Sequence, residues 1–189
     1  MAFQRLVIDG YGQIELNNVA FRRDGRVEAQ CALDTTDFAD VYAENGMLLA
    51  VDNVTRTVKF ADDDSLPIAL VYTAEHIYDE RTPGLKNFYT KATDDFYPRL
   101  GYPAVGDKFT TNCVGYDKTV DTGWTNDDKV KAALATNALK SAPVYGGISD
   151  KGAIKLSATK PTVGPVLLAV GGTTMPDGQF GVKFQVLSV

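Results

Sequence analysis

Apolar and polar residues alternate in short runs along most of the chain. The clearest runs are residues 27–33, 54–60, 109–113, 154–158 and 180–186. Successive side chains of a β-strand point to opposite faces, so this pattern predicts half-buried antiparallel strands. Pairs that close tight turns separate the runs, namely Asp24-Gly25, Asn45-Gly46 and Asp177-Gly178. We therefore predict a mainly β fold, an antiparallel sandwich or barrel.

The last part of the chain predicts a terminal hairpin. Residues 166–170 and 179–187 form two apolar-rich runs, and glycines and a proline lie between them. Two such runs around a turn-rich loop are typical of paired antiparallel strands.

Residues 127–140 have helical rather than strand periodicity. The apolar residues at helical spacing are Val130, Ala133, Leu134 and Ala138. Thr125 offers a cap before the segment, and Asp127 and Asp128 would lie near the positive end of the helix dipole. We predict one short helix here, lying across one end of the sheet and covering an edge.

The first residues predict an arm that precedes the main fold. Phe3, Leu6, Val7 and Ile8 form an apolar run ahead of a glycine-containing turn, with no partner close in sequence. The arm either pairs within its own sheet or adds a strand to a neighbouring subunit. We therefore assign residues 1–12 to the arm, and Phe3, Leu6, Val7 and Ile8 to partner binding.

Residues 13–189 predict a single β-rich domain, since this length can bury a sizeable core. Residues 72–103 are less regular, with many aromatic residues and three prolines among few clean alternations. If the domain divides into two subdomains, the boundary falls near residues 95–106.

Charge and composition exclude several classes of protein. The chain has 189 residues, 19 basic and 24 acidic side chains and a net charge of -5. Its scattered Lys and Arg residues form no basic face for phosphates, so we expect no nucleic-acid partner. No apolar run is long enough for a signal peptide or a membrane span, so we expect synthesis in the cytosol and no membrane partner. The two cysteines, Cys31 and Cys113, then predict buried free thiols.

Few residues suggest catalysis or metal binding. The triplet Asp62-Asp63-Asp64 suggests a calcium site, but the remaining ligand spacing is missing and a solvated turn explains it better. The only histidine, His76, follows Glu75 and suggests proton transfer. No nucleophile motif accompanies the pair, so a structural histidine is the simpler interpretation. We expect no enzyme activity, no cofactor and no metal.

Aromatic residues offer a second kind of site. Tyr97, Tyr102 and Trp124 have flat faces on which sugars stack, but large aromatic residues also fill cores and protein interfaces. We favour the core or interface, and assign Tyr97 and Tyr102 to partner binding.

Three segments resemble small structural proteins of tailed-bacteriophage heads. The first is ENGMLLAVD at residues 44–52 with TVK at 57–59, and the second is PAVGDKFTTN at 103–112. The third begins with GPVLLAV at 164–170 and runs through PDGQ at 176–179 to Val186. The segments follow one another in the order of such proteins.

The resemblance implies a capsid decoration protein, also called an auxiliary or cement protein. Such proteins are β-rich and dock on the outer surface of the expanded shell, often as trimers, where they bridge capsomers. The implied partners are the major capsid protein and copies of the chain itself, and the implied location is the virion. The resemblance brings no catalytic residues.

Three alternatives stay open at this point. The chain could be another virion component, such as a tail-tube, connector or fibre-base protein with a similar β fold. It could be a carbohydrate-binding module that uses Tyr97, Tyr102 and Trp124. It could also be a small hydrolase centred on His76 and Glu75.

Overall fold

Most of the regular structure lies in two large sheets. The computed structural model describes residues 3–74, 88–94, 96–119 and 123–189. Within these ranges the larger sheet has eight strands: β1 (Phe3–Arg5), β2 (Ile14–Asn18), β11 (Lys108–Thr111), β12 (Val114–Asp117), β13 (Tyr145–Gly147), β14 (Ile154–Ser157), β15 (Val166–Thr174) and β16 (Phe180–Ser188). Their spatial order is β1-β12-β14-β13-β15-β16-β11-β2, so β1 and β2 form the two edges.

The second large sheet has six strands, which come from the middle of the chain. They are β3 (Val27–Glu28), β4 (Ala32–Leu33), β6 (Leu48–Asp52), β7 (Thr57–Phe60), β8 (Ile68–Val71) and β10 (Leu100–Gly101). Their order is β3-β10-β8-β6-β7-β4. A separate pair joins β5 (Ala43–Glu44) to β9 (Tyr89–Thr90).

The architecture confirms the predicted β-sandwich-like fold and not the barrel, since the described sheets do not close on themselves. Most neighbouring strands are antiparallel, but β12 pairs with β14 and β4 pairs with β7 in parallel. The predicted terminal hairpin is confirmed as the antiparallel pair β15 and β16.

Two hydrophobic cores hold the sheets together. The first core combines Tyr116 and Phe184 of the eight-stranded sheet with Leu48 of the six-stranded sheet. The second core contains Leu49 and residues from the surrounding connections. Leu48 and Leu49 are sequence neighbours that point into different cores, so the central strands of the smaller sheet are buried on both faces. This double burial explains why residues 47–51 are continuously apolar rather than alternating.

Two predicted strands are wrong in detail. Residues 27–33 alternate in sequence but form two separate short strands, β3 and β4, which lie at opposite edges of the six-stranded sheet. The chain turns between them where Glu28 accepts hydrogen bonds from the following backbone N–H groups. Val54 is almost fully exposed in a turn, because Asp52 accepts hydrogen bonds from the backbone there and ends the strand.

The helical prediction for residues 127–140 is confirmed as a region, but it holds two helices instead of one. They are α2 (Asp127–Ala133) and α3 (Thr136–Ser141), and a further short helix, α1 (Ala20–Asp24), lies earlier in the chain. The helix breaks because the C=O of Leu134 accepts a 3.0 Å hydrogen bond from the N–H of Gly172 in β15. The cap of α2 is Asn126 rather than Thr125, since its side chain accepts a hydrogen bond from the N–H of Lys129.

The helices pack beside β15, an inner strand of the eight-stranded sheet. Strand β13 pairs with β15 only at residues 167–168, and farther along β15 the N–H of Gly172 donates a hydrogen bond to the C=O of Leu134. The helical region therefore covers the part of the β15 edge that β13 leaves open.

The chain moves between the two large sheets at a defined place. Strands from residues 27–101 build the six-stranded sheet, and both ends of the chain build the eight-stranded sheet. The crossing after β10 and before β11 lies at the end of the stretch 95–106 in which we placed a subdomain boundary. The division into two subdomains at this boundary stays a prediction.

Candidate functional site

The N-terminal arm pairs within its own subunit. Strand β1 runs antiparallel to β12, and the N–H of Leu6 donates a 3.0 Å hydrogen bond to the C=O of Val114. Leu6 is buried in the first core, and Phe3 packs against the second. Val7 is exposed, and Ile8 is partly exposed. Of the arm residues assigned to partner binding, Phe3 and Leu6 therefore serve the fold of their own chain.

An ion pair anchors the arm. Arg5 donates two hydrogen bonds to the Glu44 carboxylate, from Nη1 to Oε1 at 2.5 Å and from Nη2 to Oε2 at 3.2 Å. The Glu44 side chain is only 8% exposed and also accepts a hydrogen bond from the N–H of Gly12. Burial by itself lowers the pKa of the Arg5 guanidinium, but Cys113 and Glu44 outweigh it and raise that pKa. The pair ties β1 to β5 and to the turn that follows the arm.

Both thiols are buried, as predicted, and neither forms a disulfide. Burial raises the pKa of the Cys113 thiol to about 12. Burial is also the main reason why the pKa of Cys31 is raised. Thiolates are the reactive form of cysteine, so both side chains have packing roles rather than chemical ones.

Asp127, at the start of α2, connects three parts of the fold. Its Oδ1 accepts a 3.0 Å hydrogen bond from the hydroxyl of Tyr116, and its Oδ2 accepts a 2.9 Å hydrogen bond from the N–H of Val7. Burial, together with the hydrogen bond and charge of Asp127, raises the pKa of Tyr116 to about 12. Sequence reasoning assigned Asp127 only to the helix dipole and missed this clamp on the arm.

The aromatic residues proposed for sugar stacking do not form one surface. Trp124 is 9% exposed and belongs to the first core. Tyr102 packs against the second core. Tyr97 alone is half exposed, at 51%. The structure therefore does not assemble Tyr97, Tyr102 and Trp124 into a sugar platform.

The other candidate chemistry is either exposed or outside the described part of the chain. Glu75 and His76 lie outside the described residues. Asp62, Asp63 and Asp64 are exposed in a bend, where the N–H of Ser65 donates a hydrogen bond to Asp63. The side chain of Ser65, and then its backbone N–H, lower the pKa of Asp63. Within the described ranges, no three His, Cys, Asp or Glu side chains cluster as a metal site requires.

Two surface grooves are large enough to receive part of another molecule. The first, here called the β2 groove, has a volume of about 710 Å³ and lies along edge strand β2. The second, here called the C-terminal groove, has a volume of about 720 Å³. Its lining includes Leu66, Pro67, Ile68, Tyr102, Pro165 and Val189.

Exposed apolar residues lie within two positions in sequence of residues that line the C-terminal groove. Val189 is 71% exposed, and Val163 lies between two residues that line the groove. Val105 is exposed beside Gly106, whose N–H donates a hydrogen bond to the C=O of Val186. Leu187 is exposed on the same terminal strand. We call Val105, Val163, Leu187 and Val189, together with this groove, the C-terminal patch.

Neither groove was predicted from the sequence, although two residues singled out there, Tyr102 and Asp64, line the C-terminal groove. The residues of the C-terminal patch are far apart in sequence, and only folding brings them to one place. An isolated exposed valine has no distinctive sequence signal, because many apolar atoms of a folded protein face water.

Comparison of the chain with protein families, curated proteins and solved structures finds no match. No helix in the described ranges has the length and apolar character that a membrane span requires. The grooves and the arm are therefore interpreted from their own geometry.

Proposed function

We propose that the protein is a structural component of a tailed-bacteriophage capsid. It binds the outer surface of the expanded shell and bridges neighbouring capsomers, so that the shell resists internal pressure. The observation that carries the proposal is the C-terminal patch, and the resemblance of residues 44–59, 103–112 and 164–186 to phage head proteins supports it.

The C-terminal patch has the character of a protein interface. Tyr102 and the prolines form an apolar part of the groove lining, beside the polar side chains of Asp64, Ser65 and Thr162. Val189 in the lining and Val163 next to it in sequence are exposed aliphatic residues. Exposed apolar surface on soluble proteins marks interaction sites, because burying it against a partner releases water, and a mixture of apolar and polar groups is typical of protein interfaces.

The charge of the chain suits assembly on a repeating shell. A net charge of -5 with acidic and basic residues interspersed keeps a protein soluble at high concentration and away from packaged DNA. Each patch makes a modest contact, and many copies on a symmetric lattice bind firmly together through avidity. The partners are then the major capsid protein and further copies of this chain, in trimers.

A binding experiment with matched variants tests the proposal. Purified protein is mixed with expanded empty heads of the phage that encodes it, prepared without this protein, and bound protein is measured by sedimentation. Val163 and Val170 are both 38% exposed, but only Val163 belongs to the C-terminal patch. We expect Val163→Glu to weaken binding about tenfold or more and Val170→Glu to leave it within about twofold of the original.

Several results would overturn the proposal. They are absence of binding by the original chain, equal loss in the two variants, or absence of the protein from washed virions by mass spectrometry. Circular dichroism of each variant shows whether it is folded. Light scattering of the free protein tests the trimer separately, and rings in negative-stain images would favour a tail-tube or connector protein instead.

A further inference from the structure

The β2 groove opens between the edges of the two large sheets. Gln13, Ile14 and Leu16 line it from the eight-stranded sheet. Val27 of edge strand β3 and Tyr72, which follows β8, line it from the six-stranded sheet. The groove therefore runs beside a strand edge rather than over a sheet face, and an extended chain fits such a space.

Strand β2 pairs on one side only. Within the described residues its single neighbour is β11. On that side, the N–H of Gln13 donates to Asn112 Oδ1 at 2.7 Å, and the C=O of Gln13 accepts from Thr111 Oγ1 at 2.6 Å. Backbone groups of successive residues in a regular strand point in opposite directions, so those of Ile14 face the outer edge. The register against β11 shifts farther along β2, between Glu15 and Asn18.

The side chains of this strand hold it in place for pairing. Ile14 and Leu16 pack against the first core, so the strand backbone is fixed, and no second strand among the described residues pairs with its outer edge. At five residues, β2 is longer than the other edge of the same sheet, β1, which has three. A fixed edge strand of this length is a template for one more strand.

Two arginines give the groove a basic end. Arg22 and Arg99 both line it, and the backbone C=O of Arg99 accepts a 3.0 Å hydrogen bond from the N–H of Tyr72. The charges of Arg22 and Arg99 both act electrostatically on the Tyr72 phenol. In the described part of the chain, no salt bridge joins either guanidinium to a carboxylate.

The carboxylates of Glu15 and Asp177 also line the groove, but they do not neutralise its basic end. The Asp177 oxygens accept hydrogen bonds from the backbone N–H and the side-chain Nε2 of Gln179. Glu15 belongs to the β2 wall, whereas Arg22 and Arg99 belong to α1 and to the segment before β10. An incoming acidic side chain therefore meets two guanidinium groups at one end of the groove, and guanidinium is the cation best shaped to hold a carboxylate.

We infer that the β2 groove binds an extended segment of a partner protein, which adds a strand to β2 and places an acidic side chain against Arg22 and Arg99. Backbone hydrogen bonds along the outer edge of β2, beginning at Ile14, would supply affinity, and the arginines would supply specificity. The inference goes beyond the proposed function and rests on different residues. On a capsid it would be the second contact that a bridging protein needs.

A peptide experiment without capsids tests the inference. The probe is the acetylated and amidated peptide Thr-Val-Glu-Val-Thr, titrated to about 1 mM into isotope-labelled full-length protein and followed by NMR. We expect shifts at the amides of Ile14 and Leu16 and at the Arg22 and Arg99 side chains. The same peptide with Lys in place of Glu should bind about tenfold more weakly or worse.

Charge-matched variants separate the site from general attraction. Arg22→Glu with Arg99→Glu should weaken binding about tenfold or more, whereas Arg23→Glu with Arg26→Glu should leave it within about twofold. Arg23 and Arg26 are exposed and do not line the groove. Their substitution by Glu reverses the same number of charges as substitution of Arg22 and Arg99. The amide spectrum of each variant reports its folding.

Backbone pairing has its own test. Only alternate N–H groups of an added strand face β2, so peptides methylated at one set of alternate nitrogens should lose binding, and those methylated at the other set should keep it. No binding by the glutamate peptide, equal effects of the two arginine pairs, or equal effects of the two methylation sets would overturn the inference. A capsid-binding failure would leave these results unchanged, so the two proposals fail separately.

Discussion

At the scale of single residues, Gly46 sets how closely the two large sheets approach. Its φ is +89°, and a Cβ added there would overlap Oγ1 of Thr111 in β11. Its N–H donates a 2.9 Å hydrogen bond to the C=O of Val71 in β8. We predict that Gly46→Ala lowers the free energy of unfolding by about 3 kcal/mol or more, measured by urea denaturation, because overlap adds to backbone strain.

The matched control for Gly46 is Gly25. It also has a positive φ, of 71°, but an added Cβ meets no atom within 4 Å. Gly25→Ala should cost only the strain of the backbone, about 1 to 2 kcal/mol. Equal losses in the two variants would show that close approach of the sheets at Gly46 does not matter.

Cys113 and Tyr116 make the free energy of unfolding depend on pH in the alkaline range. Burial, with Asp127 acting on Tyr116, raises both pKa values to about 12 in the folded protein, from ordinary values of 9.0 and 10.0. As pH rises above these ordinary values, the unfolded chain loses protons that the folded chain keeps. We therefore predict that the free energy of unfolding decreases between about pH 9 and pH 12, measured by urea denaturation across that range.

Replacing the thiol tests the cause of that decrease. In Cys113→Ala one of the two groups no longer titrates, so the decline with pH should be shallower even though the variant starts from a lower stability. An unchanged slope would remove Cys113 from the explanation. A free energy of unfolding that rises with pH in this range would contradict the roles given to both Cys113 and Tyr116.

At the scale of elements, an ion pair rather than strand length holds the N-terminal strand β1 in the fold. β1 has only three residues, and Arg5 in it forms the ion pair with the buried Glu44. We predict that Arg5→Ala lowers the free energy of unfolding by about 2 to 4 kcal/mol, because it leaves a carboxylate buried without its cation. Hydrogen exchange should show faster exchange at the Leu6 amide, which pairs with β12.

Gln4→Ala is the comparison for Arg5→Ala. It shortens a partly exposed side chain of the same strand and leaves the ion pair in place, so both measurements should change little. If the Leu6 amide exchanges equally fast in both variants, the strand is held by its backbone hydrogen bonds and not by Arg5.

The elements also show how far sequence reasoning reaches. The β15–β16 hairpin was predictable because both strands bury one face and their partner follows directly in the chain. The break between α2 and α3 was not, since it depends on Leu134 bonding to Gly172, a contact made only in the fold. Residues 27–33 do not form one strand despite their alternation, because Ala29 is exposed where the hydrogen bonds of Glu28 turn the chain.

At the scale of the whole molecule, candidate sites were harder to predict than the fold. Periodicity repeats over many residues and tolerates exceptions, so it revealed the β class. Arg22 and Arg99 meet in one groove only because α1 and the segment before β10 meet there. No local pattern encodes such a meeting, and Tyr102 was chosen for its aromatic ring rather than for its place in the C-terminal groove.

The shared first core predicts that both large sheets unfold together. Leu48 and Leu70 of the six-stranded sheet pack with Phe184 and Tyr116 of the eight-stranded sheet, so neither sheet can keep the first core without the other. Fluorescence of Trp124, the only tryptophan, reports on that core, and far-UV circular dichroism reports on all strands. We predict coincident urea transitions by the two signals.

Separate midpoints would instead show two subdomains. The boundary predicted near residues 95–106 would then have energetic meaning, and a fragment of residues 27–101 should fold alone. Coincident transitions with an unfolded fragment would show that the crossing between β10 and β11 joins parts of one cooperative unit.

The position of β16 has a consequence for how the protein is made. Strand β16 follows all the other described strands in sequence, yet it lies inside the eight-stranded sheet, between β15 and β11. A ribosome therefore releases β2 and β11 long before β16, and β11 waits for a neighbour that has not been synthesised. Any product that ends before residue 180 splits the sheet into two pieces with open edges. Proteases would therefore distinguish chains that contain this strand from chains that lack it.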